Sequence, residues 1–118
     1  MYFGVYFRLR GDYMQTKKYT IGLDFGTDSA RAVIVDVSTG EVLGRGLSEY
    51  KRWETGEYCN PQNNQFRHHP LDYLESLEES IKGVLKQVSS EIRANIVGIG
   101  VGATGSTPAP IDKNGVPL

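Results

Sequence analysis

Four residues between two β-branched runs carry the clearest chemistry in this chain: Asp24, Gly26, Thr27 and Ser29, within the stretch Tyr19 to Val37. Small residues at a turn let backbone N–H groups and hydroxyls come close to an anion, as phosphate-cradling turns require. Asp24 closes the first run. A carboxylate beside bound polyphosphate has a purpose where Mg²⁺ stands between them, often held through water. No glycine here is followed at P-loop spacing by Gly-Lys-Ser/Thr, and the turn opens a strand instead of a helix, so the expected phosphate site is hairpin-borne. The same residues also suit an ordinary tight turn.

A second polar cluster, Thr104-Gly105-Ser106-Thr107, follows the apolar run Ile96 to Val101. Open α/β sheets bind ligands at the carboxyl ends of such strands, and hydroxyls with bare backbone suit a sugar. Gly100, Gly102 and Gly105 also satisfy the dinucleotide-binding glycine spacing. That fingerprint needs a helix immediately afterwards, which Pro108 and Pro110 forbid, and an acidic residue at a distance that falls beyond Leu118. Cys59, His68 and His69 lack a recognised ligand spacing, and are read as incidental to metal binding.

The elements that position these groups are legible from periodicity. Tyr19 to Val37 reads as two strands around the turn, Ser38-Thr39-Gly40-Glu41 as a second turn, and Val42 to Tyr50 as a third strand loosened by Gly44 and Gly46. The result is a three-stranded antiparallel meander. Lys51 to His69 reads as a long loop, pinned to the body by its aromatics. Pro70 starts a helix whose apolar stripe, Leu71, Leu74, Leu77, Ile81, Val84, Leu85 and Val88, is the expected core face. Asp72, Glu75, Glu78, Glu79, Lys82 and Lys86 read as its solvated face, with Glu78 pairing Lys82. Ser89-Ser90 ends it, Ile96 to Val101 forms one further strand, and Gly115 turns part of a hairpin. The fold class is α/β, with a mixed sheet and a helix on one face.

With 118 residues the chain is at most one domain, and its 13 basic and 14 acidic residues give a net charge of −1. No basic stripe argues for nucleic acid or an anionic membrane surface. A single cysteine excludes a disulfide framework and fits a reducing cytoplasm. Met1 to Phe7 is apolar but too short to span a bilayer. The sequence places the natural start at Met14, which the mass of natively expressed protein would test. Residues 1–18 then form an N-terminal extension without fixed structure, and 19–118 a partial domain.

Gly-Leu-Asp-Phe-Gly-Thr-Asp-Ser at 22–29, Tyr-Cys-Asn-Pro-Gln-Asn-Asn-Gln-Phe-Arg at 58–67, His-Pro-Leu-Asp-Tyr at 69–73 and Thr-Gly-Ser-Thr-Pro-Ala-Pro at 104–110 together resemble the FGGY carbohydrate kinases. The resemblance runs from Tyr19 to Leu118 and is strongest to the branch that phosphorylates L-ribulose in L-arabinose breakdown. It implies a ribonuclease H-like (actin-like ATPase) fold, ATP and Mg²⁺ as cofactors, and L-ribulose as acceptor. Asp24 would organise Mg²⁺, Gly26, Thr27, Asp28 and Ser29 would form the phosphate-facing turn, and Thr104, Gly105, Ser106 and Thr107 would border the ketose.

Where that family usually has aspartate, this chain has Gly102. The lost acid would remove either a sugar hydroxyl contact or a buried hydrogen bond. In the family the general-base aspartate and the adenine-binding domain lie beyond the equivalent of Leu118, so the chain alone is expected to be inactive. A non-catalytic remnant that binds nucleotide weakly, or associates with a full-length kinase, is the alternative. An unpaired sheet edge is expected to favour self-association.

Overall fold

The computed structural model describes residues 16–105 and 108–118. The expected meander is present: β1 (Tyr19–Phe25), β2 (Ser29–Asp36) and β3 (Val42–Glu49) are antiparallel. A fourth strand, β6 (Ile96–Ala103), pairs in parallel with β1, giving the order β3-β2-β1-β6. The β2–β3 turn is shaped by Asp36, whose carboxylate accepts from the Ser38 amide at 2.8 Å, the Ser38 hydroxyl at 2.6 Å and the Thr39 amide at 3.2 Å. Gly40 closes that turn at φ +75°, where a side chain would be strained.

The segment expected to be a loop is partly ordered. It contains a one-turn helix α1 (Lys51–Glu54), a 3₁₀ turn (Pro61–Asn63), and a two-stranded ribbon of β4 (Cys59–Asn60) with β5 (Gln65–Phe66). Pro70 does open the long helix α2 (Pro70–Leu85), capped by the His69 ring, whose Nδ1 accepts from the Leu71 amide at 3.1 Å. A short helix α3 (Ser90–Ala94), capped by Ser89, returns the chain to β6.

The stripe on α2 differs from the expected one. Leu71 and Leu74 are exposed, whereas Asp72, Ser76, Ser80 and Val84 are buried. The reason lies beneath: α2 crosses β2 and β3, where Gly44 and Gly46 leave no side chain to hold it off. Contact this close requires small residues on the helix as well. Leu77, Ile81 and Leu85 fill the margins of a core made by Tyr19, Ile21, Leu23, Ala32, Ile34, Val84 and Val88.

Asp72 is likewise not on the solvated face. Its carboxylate, wholly buried, accepts from Arg52 Nη1 at 2.9 Å and from the α1 amides of Arg52 at 3.3 Å and Trp53 at 3.1 Å. The short helix has no side-chain cap of its own and takes one from α2. Glu75 also holds Arg52, while Glu78 pairs with Lys82 as the spacing implied.

Helix α2 leaves β6 uncovered: Val97, Ile99 and Val101 are 60–67% exposed. Among the described residues no strand pairs with the outer edge of β6.

Four carboxylates sit below their ordinary range. The Ser38 hydroxyl and amide hold Asp36 there, Arg52 holds Glu75, Lys51 and Ser48 hold Glu79, and the Val116 and Asn114 amides hold Asp112. A depressed folded-state value means stability that is complete above the ordinary values of 3.8 and 4.5 and is lost as pH falls through and below them. The urea midpoint should therefore hold between about pH 7 and 5.5 and drop steeply below about 4. A midpoint unchanged at about pH 3.5 would count against these contacts.

Candidate functional site

The β1–β2 hairpin turn is braced from below. Gly26 N–H donates to the Ser29 carbonyl at 2.9 Å, and the Tyr50 amide to the Asp28 carbonyl at 2.8 Å. The Tyr50 hydroxyl donates to the Gly26 carbonyl at 3.1 Å. Tyr50 is fully buried, and burial above all pushes its phenol up to about 12, so it stays a donor throughout the physiological range.

This bracing separates the turn residues expected to act alike. Ser29 is buried, its hydroxyl donating to Asp28 Oδ1 at 2.8 Å, and the Gly26 amide is committed within the turn. Thr27 and Asp28 are exposed.

The parallel pairing of β1 with β6 sets Phe25 opposite Ala103. The second polar loop therefore starts beside the first turn, and Thr104 N–H donates to the Phe25 carbonyl at 3.2 Å. Phe25, Gly26, Thr27, Ala103, Thr104 and Gly105 line one cavity of about 380 Å³, with His68 and Tyr73 completing its wall. The two stretches singled out for phosphate and sugar thus share a cavity, though they lie far apart in the chain. Ser106 and Thr107 lie outside the described residues.

Asp24 is not in that cavity. Alternation along β1 puts it on the sheet face opposite Phe25. Its half-exposed carboxylate lies 3.5 Å from Arg31 Nη1, across the hairpin. Arg31 went unread in the sequence, although counting the hairpin register from the turn pairs it with Asp24. Gly102 stands beside Asp24 on β6: a Cβ there would be 3.9 Å from Asp24 Oδ1 and 3.7 Å from the Leu23 carbonyl. The position is exposed among the described residues and is not part of the cavity lining, and an acid there would adjoin Asp24.

Among the described residues no group of three or more His, Cys, Asp or Glu could enclose a metal ion. A half-exposed carboxylate such as Asp24 suits Mg²⁺, which keeps most of its waters and binds through one or two carboxylates plus substrate phosphate. The donor set fits that cofactor and no all-protein metal cage.

Sequence reasoning weighed His68 only as a metal ligand and set it aside, missing its place in the cavity wall. Its ring stands edge-on to Trp53, Tyr50 and Tyr73, with centroids 4.2, 5.4 and 5.5 Å away. It lies in a segment without periodicity, so no spacing signal marks it. Cys59, His68 and His69 go to three separate roles: a ribbon strand, a cavity wall and a helix cap.

The hairpin turn and the loop after the parallel strand thus meet at one end of a mixed sheet. Residues 19–118 match the model of the FGGY family of carbohydrate kinases, N-terminal domain, and the chain belongs to that family. It is 50% identical over 102 residues to the ribulokinase of Vibrio parahaemolyticus, covering 86% of this chain and 18% of that protein. The ribulokinase of Halalkalibacterium halodurans is 40% identical over 108 residues, covering 87% and 19%. That of Shouchella clausii is 35% identical over 108 residues. The chain thus spans under one fifth of the length of these relatives. No helix among the described residues is long and apolar enough to cross a membrane.

Proposed function

We propose that this chain is the N-terminal part of an ATP-dependent cytoplasmic kinase that phosphorylates L-ribulose to L-ribulose 5-phosphate, on the route of L-arabinose breakdown. The observation that carries the reading is the register of β1 against β6, which brings Gly26 and Thr27 to one cavity with Thr104 and Gly105. Within it Thr27 offers an exposed hydroxyl to phosphate, and the loop from Thr104 to Thr107 borders the ketose. Asp24, at the end of β1 and paired with Arg31 on the opposite sheet face from the cavity, would help to hold Mg²⁺. Mg·ATP supplies the phosphoryl group and neutralises its charge.

Gly26, Asp28 and Ser29 act by shape: the turn they close presents Thr27. The kinase-domain part is residues 19–118; the expected extension 1–18 lies outside the described residues up to 15, and its last two residues touch the sheet, Lys17 at Asp36 and the Lys18 carbonyl at the Val37 amide. Among the described residues no carboxylate lines the cavity, which supports the reading that the chain by itself lacks the general base for phosphoryl transfer to a sugar hydroxyl.

Calorimetric titration of Mg·ATP into the chain tests this reading, alongside Asp24→Ala. The mutant should bind about tenfold more weakly, the value of one charge-assisted contact of about 1.4 kcal/mol. Equal affinity in both proteins would remove Asp24 from the site. Absence of binding in both would leave a chain with a kinase's ancestry and no nucleotide site.

A further inference from the structure

We propose that His68 is a specificity-determining residue of the cavity, donating from Nε2 to a hydroxyl of the bound ketose; this rests on the sugar-kinase reading above. Its ring is fixed by Trp53, Tyr50 and Tyr73, and Nδ1 lies 2.6 Å from the Tyr73 hydroxyl. In the tautomer in which the Tyr73 hydroxyl donates to Nδ1, the ring proton resides on Nε2, and that is the tautomer the proposal assigns. Nε2 is buried and has no hydrogen-bond partner among the described residues. A buried donor left unpaired is costly, and a native fold that carries one calls for an explanation.

The explanation lies in what surrounds the ring. His68 and Tyr73 line the 380 Å³ cavity on one side. They also line a second cavity of about 620 Å³, bounded by Phe66, Arg67 and Pro70 and by Pro108–Pro110 and Pro117. The pair is therefore a partition with space on both sides. An occupant of the smaller cavity stands between the phosphate turn and Thr104. A ketose hydroxyl supplies the missing acceptor oxygen, and a site built around a buried donor rejects molecules that cannot satisfy it.

The test is an NMR titration of the ¹⁵N-labelled chain with L-ribulose, following the Thr104 and Gly105 amides and the His68 ring nitrogens, the latter assigned by their loss in His68→Gln. Expected is a shift of both amides together with a shift of His68 Nε2. His68→Phe should weaken binding about tenfold, while His68→Gln, whose amide can donate from nearly the same place, should stay within about threefold. Amide shifts with a silent Nε2 would overturn the proposal and leave the sugar site standing. No response anywhere would overturn both. A second titration with inorganic phosphate separates the source of the acceptor: if phosphate moves Nε2 and L-ribulose does not, His68 serves the donor end and the proposal fails. Because the chain has 2 histidines, His69→Gln assigns the His68 ring nitrogens equally well, so a His68 variant that fails to fold does not obscure the result.

Discussion

Gly46→Ala lowers the stability of this protein by about 3 kcal/mol or more, the upper part of the range for overpacked sites. A Cβ at that position would stand 2.1 Å from the Ser80 carbonyl oxygen, 3.0 Å from the Ser80 carbonyl carbon and 3.2 Å from the Val84 amide nitrogen. All three atoms are helix backbone, so no rotamer change relieves the clash and α2 must lift off β3. Ser76 would then lose its 3.1 Å hydrogen bond to the Glu49 carbonyl, and Val84 would open to water. Gly44→Ala is the milder companion, since its nearest neighbours are the Val84 methyl at 3.1 Å and the Gln87 amide oxygen at 3.2 Å, both on side chains. Gly100→Ala, with nothing within 4 Å, is the control. Urea unfolding of the three variants should rank them in that order, and a Gly46→Ala midpoint equal to that of Gly100→Ala would disprove the close contact.

Asp72→Asn has the second large effect, a loss of about 2–4 kcal/mol that reaches the cavity wall. The amide keeps one acceptor oxygen but turns an NH₂ group toward a site that received the Arg52 and Trp53 amides and the Arg52 guanidinium. Without its borrowed cap α1 frays, and Trp53, whose ring centroid is 4.2 Å from that of His68, loses its position. Trp53 is the sole tryptophan, so its fluorescence should shift to the red in Asp72→Asn well below the unfolding midpoint. Glu75→Gln should leave the emission unchanged, because the Glu75 side chain is 42% exposed and Arg52 keeps its bond to Asp72. An unshifted Asp72→Asn spectrum would show that α1 does not depend on this carboxylate.

The contrast between α2 and the hairpin shows what local sequence can and cannot reveal. The hairpin was legible because alternation, a polar turn and β-branched flanks all act within nineteen residues, Tyr19 to Val37. Pro70 marked the helix start because the missing N–H and fixed φ are properties of that residue alone. The later part of the α2 stripe, Leu77, Ile81, Val84, Leu85 and Val88, does face the core, but Leu71 and Leu74 were misread because the stripe measures which side is apolar, not how near a neighbour stands. Gly44 and Gly46, read as loosening β3, let the helix approach until serine was the largest residue that fitted at two of its contact positions. Asp72 looked like a first-turn acid in solvent because its partners come from a segment without any pattern.

The site divides along the same line. The sequence by itself determined the kinase family, the polar turn at Gly26–Ser29, the polar loop from Thr104 and the absence of a P-loop. The turn, the loop and the missing P-loop are properties of residue type and spacing along one strand and its exit, whereas the family rests on a resemblance that runs from Tyr19 to Leu118. Only the tertiary structure decided that turn and loop meet, that Ser29 faces inward, that Asp24 stands with Arg31 on the far side of the sheet, and that His68 closes the wall. Each of these depends on strand register and on pairing across long stretches of chain. A shift of one residue in β1 against β6 would exchange the faces and part the two loops, and that pairing is set by the burial of Ile21 and Leu23 against the core rather than by any residue of the site.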